Sequence, residues 1–246
     1  MMRRLLSVLL VVVLAAGCGS DASGEPPPGR PPLASPPDPG PPPDEDGLTA
    51  NERDDVARST VRVTGIACGR TTQGSGFAVG GDLVATNAHV LVGVDKPTVE
   101  LGDGTGLDGE IVAFNVIDDL ALIRVRGADF EPLPLGPADD GTVGAVFGWE
   151  PGPTVDPTPF RIDRPVTVRI EAVASDERIE RHSWLLAAQI EAGDSGAALI
   201  DTTGTVVGVA YAATTRGSSV AYAVRTERLE ALIEKGLKTD LIVPDC

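Results

Sequence analysis

From Val61 onward the chain is cut into short apolar, β-branched runs, each closed by a turn bearing Gly, Asp or Pro. Runs of that length and composition read as strands and leave little room for helices. Val61 to Cys68, Gly74 to Val79, Leu83 to Thr86, Thr98 to Leu101, Ile111 to Asn115 and Leu120 to Val125 make a first set. Val143 to Trp149, Val166 to Ala174, Trp184 to Ile190, Ala197 to Ile200, Val206 to Ala212 and Val220 to Val224 make a second. Glu131 to Thr142, rich in Pro, Gly and Asp, reads as the crossing between them. Helix is expected twice: over Thr49 to Ser59, and over Thr226 to Lys235, where Leu229, Leu232 and Ile233 share one face. The pattern predicts an all-β fold of two barrels with a C-terminal helix.

The residues before Thr49 have a different character. Arg3 and Arg4 precede the apolar run Leu5 to Leu14, and Ala15-Ala16-Gly17 supplies a small-residue exit. That is a secretion signal, and the apolar run is short for a membrane span. Leu14-Ala15-Ala16-Gly17-Cys18 resembles a lipobox, in which the signal is cut before a cysteine that then receives a lipid. The resemblance implies residues 1–17 as the signal, Cys18 as the lipidation site, and the membrane as a partner through that lipid. Residues 18–48 are dominated by Pro, Gly, Ser and acidic side chains, too poor in apolar surface to offset chain entropy. They are expected to be an extended tether reaching about 90 Å. The globular domain is expected over residues 49–246, with no further domain after Cys246.

A net charge of −16 among 246 residues argues against a non-specific nucleic-acid binder. Beyond Cys18 the sequence has two cysteines, Cys68 and Cys246. In an exported protein an even pair invites a disulfide, and two separate thiols are the alternative. Two dispersed histidines, His89 and His182, make no metal-ligand cluster, so no metal or other cofactor is expected.

Three short motifs carry chemistry. Gly193-Asp194-Ser195-Gly196 holds a serine between glycines, which by itself also makes an ordinary turn. Thr86-Asn87-Ala88-His89-Val90 sets a histidine at a strand end, and Asp118-Asp119 opens the strand Leu120 to Val125. Together, and in the order His, Asp, Ser, they resemble the trypsin-like serine proteases, in particular the HtrA-like bacterial branch and its mycobacterial acid-resistance periplasmic members. The resemblance covers about Val61 to Lys235. It implies two six-stranded antiparallel β-barrels and a serine endopeptidase exported from the cytoplasm, with a protein or peptide as substrate. That group also has an early and a C-terminal cysteine in its protease domain, which favours the Cys68–Cys246 pair. Its anchor is a set of membrane helices, where this chain would use a lipid.

Residue by residue, the resemblance implies Ser195 as nucleophile, His89 as general base and Asp119, rather than Asp118, as its partner. The backbone N–H groups of Gly193 and Ser195 would form the oxyanion hole. Gln189 is expected at the floor of the primary substrate pocket. Ala210, Tyr211 and Ala212 would form the substrate-binding strand, with Val220 on a wall. His182 and Trp184 are expected to serve packing or surface roles. The chain departs from the family at Ala197-Ala198, where Gly-Pro is usual, and this motivates an alternative: a trypsin-like pseudoprotease that binds a peptide or envelope partner without cutting. Asp194 is expected to be satisfied locally, not by a freed N-terminus. The sequence carries no signal for oligomeric state.

Overall fold

The computed structural model describes residues 38–149, 156–174, 177–213, 219–236 and 243–245. Cys18, the signal region and Cys246 lie outside them. Thr49 starts the first helix, α1 (Ala50–Ser59), with a capping box: the Glu52 N–H donates to Thr49 Oγ1, and the Glu52 carboxylate accepts from the Thr49 N–H.

Seven strands follow: β1 (Thr60–Ala67), β2 (Arg70–Gly80), β3 (Leu83–Thr86), β4 (Thr98–Glu100), β5 (Gly106–Asp108), β6 (Glu110–Asn115) and β7 (Leu120–Arg124). They form one antiparallel sheet in the order β5-β4-β1-β2-β3-β7-β6. The second set is β8 (Val143–Phe147), β9 (Thr158–Glu171), β10 (Arg178–Ala187), β11 (Ala198–Asp201), β12 (Val206–Ala213) and β13 (Val220–Arg225), closed into a ring in the order β10-β13-β12-β11-β8-β9. Helix α2 (Thr226–Gly236) ends the described fold except for the short segment 243–245.

The all-β class and the C-terminal helix agree with the sequence. The second half has the expected six strands, but the first has seven and its ladder is open. Gly102 to Gly109, between the expected strands Thr98 to Leu101 and Ile111 to Asn115, forms a hairpin whose return leg, β5, adds a strand beside β4. Its short pairing ends where Gly109 leaves the ladder to donate to the Pro97 carbonyl (2.8 Å).

The crossing at 131–142 is pinned to both halves. The Leu133 N–H donates to the Ala78 carbonyl in the first sheet (3.0 Å), and the Val206 N–H in the ring donates to the Pro134 carbonyl (2.8 Å). One apolar cluster spans both halves, bringing Phe77, Leu120 and Leu122 against Phe147, Ile200 and Val209, with Leu229 and Leu232 of α2 closing it. Burying a core on this scale is what makes the two halves one body.

A compact unit begins at Asp38, ahead of the helix that Thr49 caps. Pro39 is buried, and its carbonyl accepts from the Arg161 guanidinium on β9 (2.7 Å). The Asp46 carboxylate, 2 % exposed, accepts from Arg53 (2.8 Å) and from the Leu48 N–H (2.9 Å). The end of the compositional tether is therefore a strap on the domain. Its few anchors, Pro39, Asp46 and Leu48, find partners that composition does not register.

Candidate active site

The site is assembled at the junction of the two halves from three turns. The first leaves β3. Thr86 Oγ1 donates to the Ser75 carbonyl (2.7 Å), and Asn87, fully buried, donates through Nδ2 to the Asp119 carbonyl (2.9 Å). The chain then makes a 3₁₀ turn, Ala88–Val90, which turns the His89 side chain toward the junction.

The second turn joins β6 to β7. Asn115 Oδ1 accepts from the N–H groups of Ile117 (2.9 Å) and Asp118 (3.0 Å), an Asx-type turn. Asp119 follows with φ +56°, a left-handed conformation that Asp tolerates better than most residues. The two adjacent carboxylates face opposite partners. Asp118 receives both Nε and Nη2 of Arg228 on α2 (2.8 Å each) and Asn115 Nδ2 (2.8 Å). That hydrogen bond to Asp118 pushes the Arg228 guanidinium pKa upward. Asp119 takes the histidine: Oδ1 accepts from the His89 backbone N–H and Oδ2 meets His89 Nδ1, both at 2.8 Å. With an acceptor-only carboxylate there, Nδ1 carries the proton and Nε2 is left as the acceptor.

The third turn precedes β11. His89 Nε2 lies 2.9 Å from Ser195 Oγ. The turn is closed on itself: the Asp194 N–H donates to the Glu191 carbonyl (3.2 Å) and the Ala197 N–H to the Asp194 carbonyl (2.8 Å). In a trans peptide the N–H points opposite the carbonyl, so the Ser195 N–H faces away from Ala197. Asp194 Oδ2 accepts from the Glu191 N–H (2.8 Å), a local partner of the kind expected from the sequence. Gly193 has φ +116°, a conformation open to glycine and rarely to other residues. Gly196 is needed for space as well, since a Cβ there would stand 2.2 Å from the Ser75 carbonyl. Ala197 is fully buried and is not among the described non-glycine residues of positive φ (Cys68, Asp119 and Ala174). Its carbonyl accepts from the Ala210 N–H on β12 (2.9 Å), while the Ala210 carbonyl accepts from the Gly196 N–H (2.9 Å), and so the chain continues into the ring without strain.

Ser75 is the positioning residue that sequence reading missed. It sits on β2, fully buried, and grips the serine turn across the junction. Its N–H donates to the Ser195 carbonyl (2.7 Å), its Oγ donates to the Gly193 carbonyl (2.7 Å), and the same Oγ accepts from the Trp149 N–H (2.8 Å). In sequence it is one serine in Gly74-Ser75-Gly76, and nothing local distinguishes it from a turn residue.

The expected substrate residues divide. Gln189 is exposed and lines a cleft of about 480 Å³ beside the serine turn, together with Gln73, Trp149, Ala192, Gly193 and Asp194. Ala210 is spent on backbone pairing with the turn. Tyr211 lies on β12 with its side chain pointing inward. A bulge between Ala210 and Ala212 breaks the alternation. The Tyr211 ring lands in the core cluster, 8 % exposed, with its hydroxyl 2.9 Å from Ser183 Oγ. Burial pushes its phenol pKa up to about 12. Ala212 belongs to β12, and Val220 is half-buried opposite Ala187 of β10. Trp184 is buried, its Nε1 donating to the Val207 carbonyl (3.1 Å), and His182 is exposed on β10. A larger cavity of about 710 Å³ on the first sheet, between Lys96, Glu110, Arg126 and Pro244, holds none of these residues; chemistry, not size, locates the site. Among the described residues no three His, Cys, Asp or Glu side chains group to hold a metal ion.

Residues 74–209, more than half the chain, match the family of the trypsin-like peptidase domain. Serine protease Rv3671c of Mycobacterium tuberculosis is 32 % identical over 160 residues, covering 63 % of this chain and 40 % of its own length. A DegP-like probable periplasmic serine endoprotease of Halomonas elongata is 32 % identical over 148 residues, covering 57 % of this chain and 29 % of its own. The chain thus spans less than half the length of these relatives. The fold is similar to the crystal structure of the Rv3671c protease in its active form, with TM-score 0.75 and 26 % identity over 84 % of this chain and 93 % of that one. The inactive form of the same protease gives TM-score 0.68 at 26 % identity, over 80 % and 98 %. A two-part β fold, a serine held against a histidine at its junction, and a family match running through both halves lead to one conclusion: the chain belongs to the trypsin-like peptidase family.

Proposed function

We propose that the chain is a serine endopeptidase working outside the cytoplasm, with Ser195, His89 and Asp119 as its catalytic residues. The observation that carries this reading is the unbroken line from Asp119 Oδ2 through the His89 ring to Ser195 Oγ, at 2.8 and 2.9 Å. His89 Nε2 takes the hydroxyl proton as Oγ attacks the scissile carbonyl, and Asp119 stabilises the imidazolium that forms. His89 then gives the proton to the leaving amine, and water entering by the same route hydrolyses the acyl-enzyme. The N–H groups of Gly193 and Ser195 receive the developing oxyanion. The cleft at Gln189 takes an uncharged side chain of small or medium size.

An activity-based fluorophosphonate probe tests the reading. Labelling of the wild type and none of Ser195→Ala supports it; a folded wild type that takes no label and cleaves no peptide in a library overturns it. The path through Ala197, which has no positive φ, supports the cutting reading over the non-cutting alternative.

The N-terminal part of the proposal is a lipid on Cys18, holding the domain at the membrane from its outer side. Loss of membrane association in Cys18→Ala, with the lipid-linked mass missing, is the expected result. A Cys68–Cys246 disulfide completes it. In support, Val243 packs against the apolar cluster of the first sheet, and the Gly93 N–H donates to the Pro244 carbonyl (2.9 Å). Mass spectrometry of non-reduced peptides decides it.

A further inference from the structure

We infer that Arg181 is a positioning residue for catalysis, holding the Asp119 carboxylate in register with His89; this rests on the reading of Asp119 just given. An arginine 2 % exposed is an uncommon thing to bury, and it persists only where its charge and donors are met. Arg181 lies on β10, in the ring, yet its polar contacts reach across the junction to the β6–β7 turn. Nε donates to the Ile117 carbonyl (2.8 Å), Nη2 to the Val116 carbonyl (3.3 Å), and Nη1 to Asp119 Oδ2 (3.4 Å). That oxygen is the one that meets His89 Nδ1.

The guanidinium is fixed in plane as well as in position. The Tyr211 ring lies against it, 4.8 Å from centroid to Cζ, and the Tyr211 hydroxyl is held by Ser183 Oγ. A rigid fork that grips two successive carbonyls and a carboxylate sets the turn and the side chain together, which a lysine ammonium cannot do. Asp119 needs such a hold, because a non-glycine residue at φ +56° persists only where its surroundings over-determine it. The charged and titratable groups around it are His89 from the 3₁₀ turn, Arg181 from β10, the Tyr211 phenol from β12, and Asp118, which Arg228 of α2 engages. Arg181 is thus the cation placed on Asp119 among the described residues, while Arg228 provides a matched control on its neighbour.

The test crosses Arg181→Met, Arg181→Lys and Arg228→Met with Asp119→Asn, and follows the low-field proton of His89 Nδ1 by NMR in a Ser195→Ala background. Arg181→Met is expected to lower kcat roughly 10- to 100-fold with KM changed by less than about twofold. It should also shift or broaden the Nδ1 proton. Arg181→Lys, which keeps the charge without the fork, should give an intermediate loss. On top of Asp119→Asn, Arg181→Met should cost less than about twofold more, because it acts through that carboxylate. Arg228→Met should lower the melting temperature and leave the proton in place. A folded Arg181→Met with wild-type kcat and an unmoved proton overturns the inference, as do losses that multiply in the double variant. If Arg181→Met does not fold, Arg181→Lys carries the test, and an unmoved proton there overturns it. A wild type that cleaves nothing and takes no fluorophosphonate sinks the peptidase reading instead; the proton still decides for or against Arg181.

Discussion

Asp118 and Asp119 are adjacent and chemically identical, and the fold gives them unrelated work. Asp119→Asn is expected to lower kcat/KM by about 10⁴-fold, because an amide no longer selects the histidine tautomer with Nε2 free. Asp118→Asn should leave kcat within about twofold and instead cost about 1–3 kcal/mol in a urea titration, by loosening the half-exposed Arg228 pair. Reversed results would exchange their roles. Gly193→Ala isolates backbone from packing: a Cβ there meets nothing within 4 Å, so the penalty is that of φ +116° alone. Relieving it turns the peptide that carries the proposed oxyanion donor, and kcat should fall about 10²–10³-fold with KM little changed. Wild-type kcat in that variant would remove Gly193 from the oxyanion site. His89, Asp119 and Ser195 were legible in the sequence because each lies in a local motif and their order is itself informative. Ser75 and Arg181 were not. Ser75 finds the Gly193 carbonyl 118 positions away, and Arg181 finds the Ile117 carbonyl at a separation of 64, so no local pattern records either contact.

Among the elements, the N-terminal strap departs most from its sequence reading. Pro, Gly and acidic residues read as a solvated spacer, yet Asp38 to Leu48 is held by Arg161 and Arg53. A chain starting at Thr49 should therefore be about 1–3 kcal/mol less stable in urea than one starting at Asp38, having lost those bonds and the burial of Leu48. Both should cleave a reporter peptide at the same rate, because Asp194 accepts from the Glu191 N–H within its own turn and needs no freed N-terminus. Activity in only one of the two would show that the N-terminus does take part. The seventh strand has a similar origin: β5 is too short to announce itself and exists because β4 offers an unpaired edge. Helix α2 was legible because a 3.6-residue apolar period is a local signal.

For the molecule as a whole, the junction between the halves holds one shared apolar cluster and the proposed catalytic residues, and Tyr211 reports on its integrity. An unfolded tyrosine ionises near 10.0, while burial raises Tyr211 to about 12, and Tyr222 shifts the same way for the same reason. Between those values the unfolded chain releases a proton that the folded chain keeps. The stability is fully present below pH 10 and is lost as pH rises through about 12. Urea titrations on either side of pH 10 should show the fall, and Tyr211→Phe should flatten it; equal slopes in the two proteins would place the alkaline loss elsewhere. By itself the sequence determined the class of fold, the two-part division, the helices and the three motifs, because strand period, turn formers and short motifs are written within a few residues. Only the tertiary structure decided which way Tyr211 faces, how Asp38 to Leu48 is held on the domain, and which buried serine and arginine grip the two turns. Each of those depends on partners brought together by burying one core across two halves, and that proximity is a property of the packed chain.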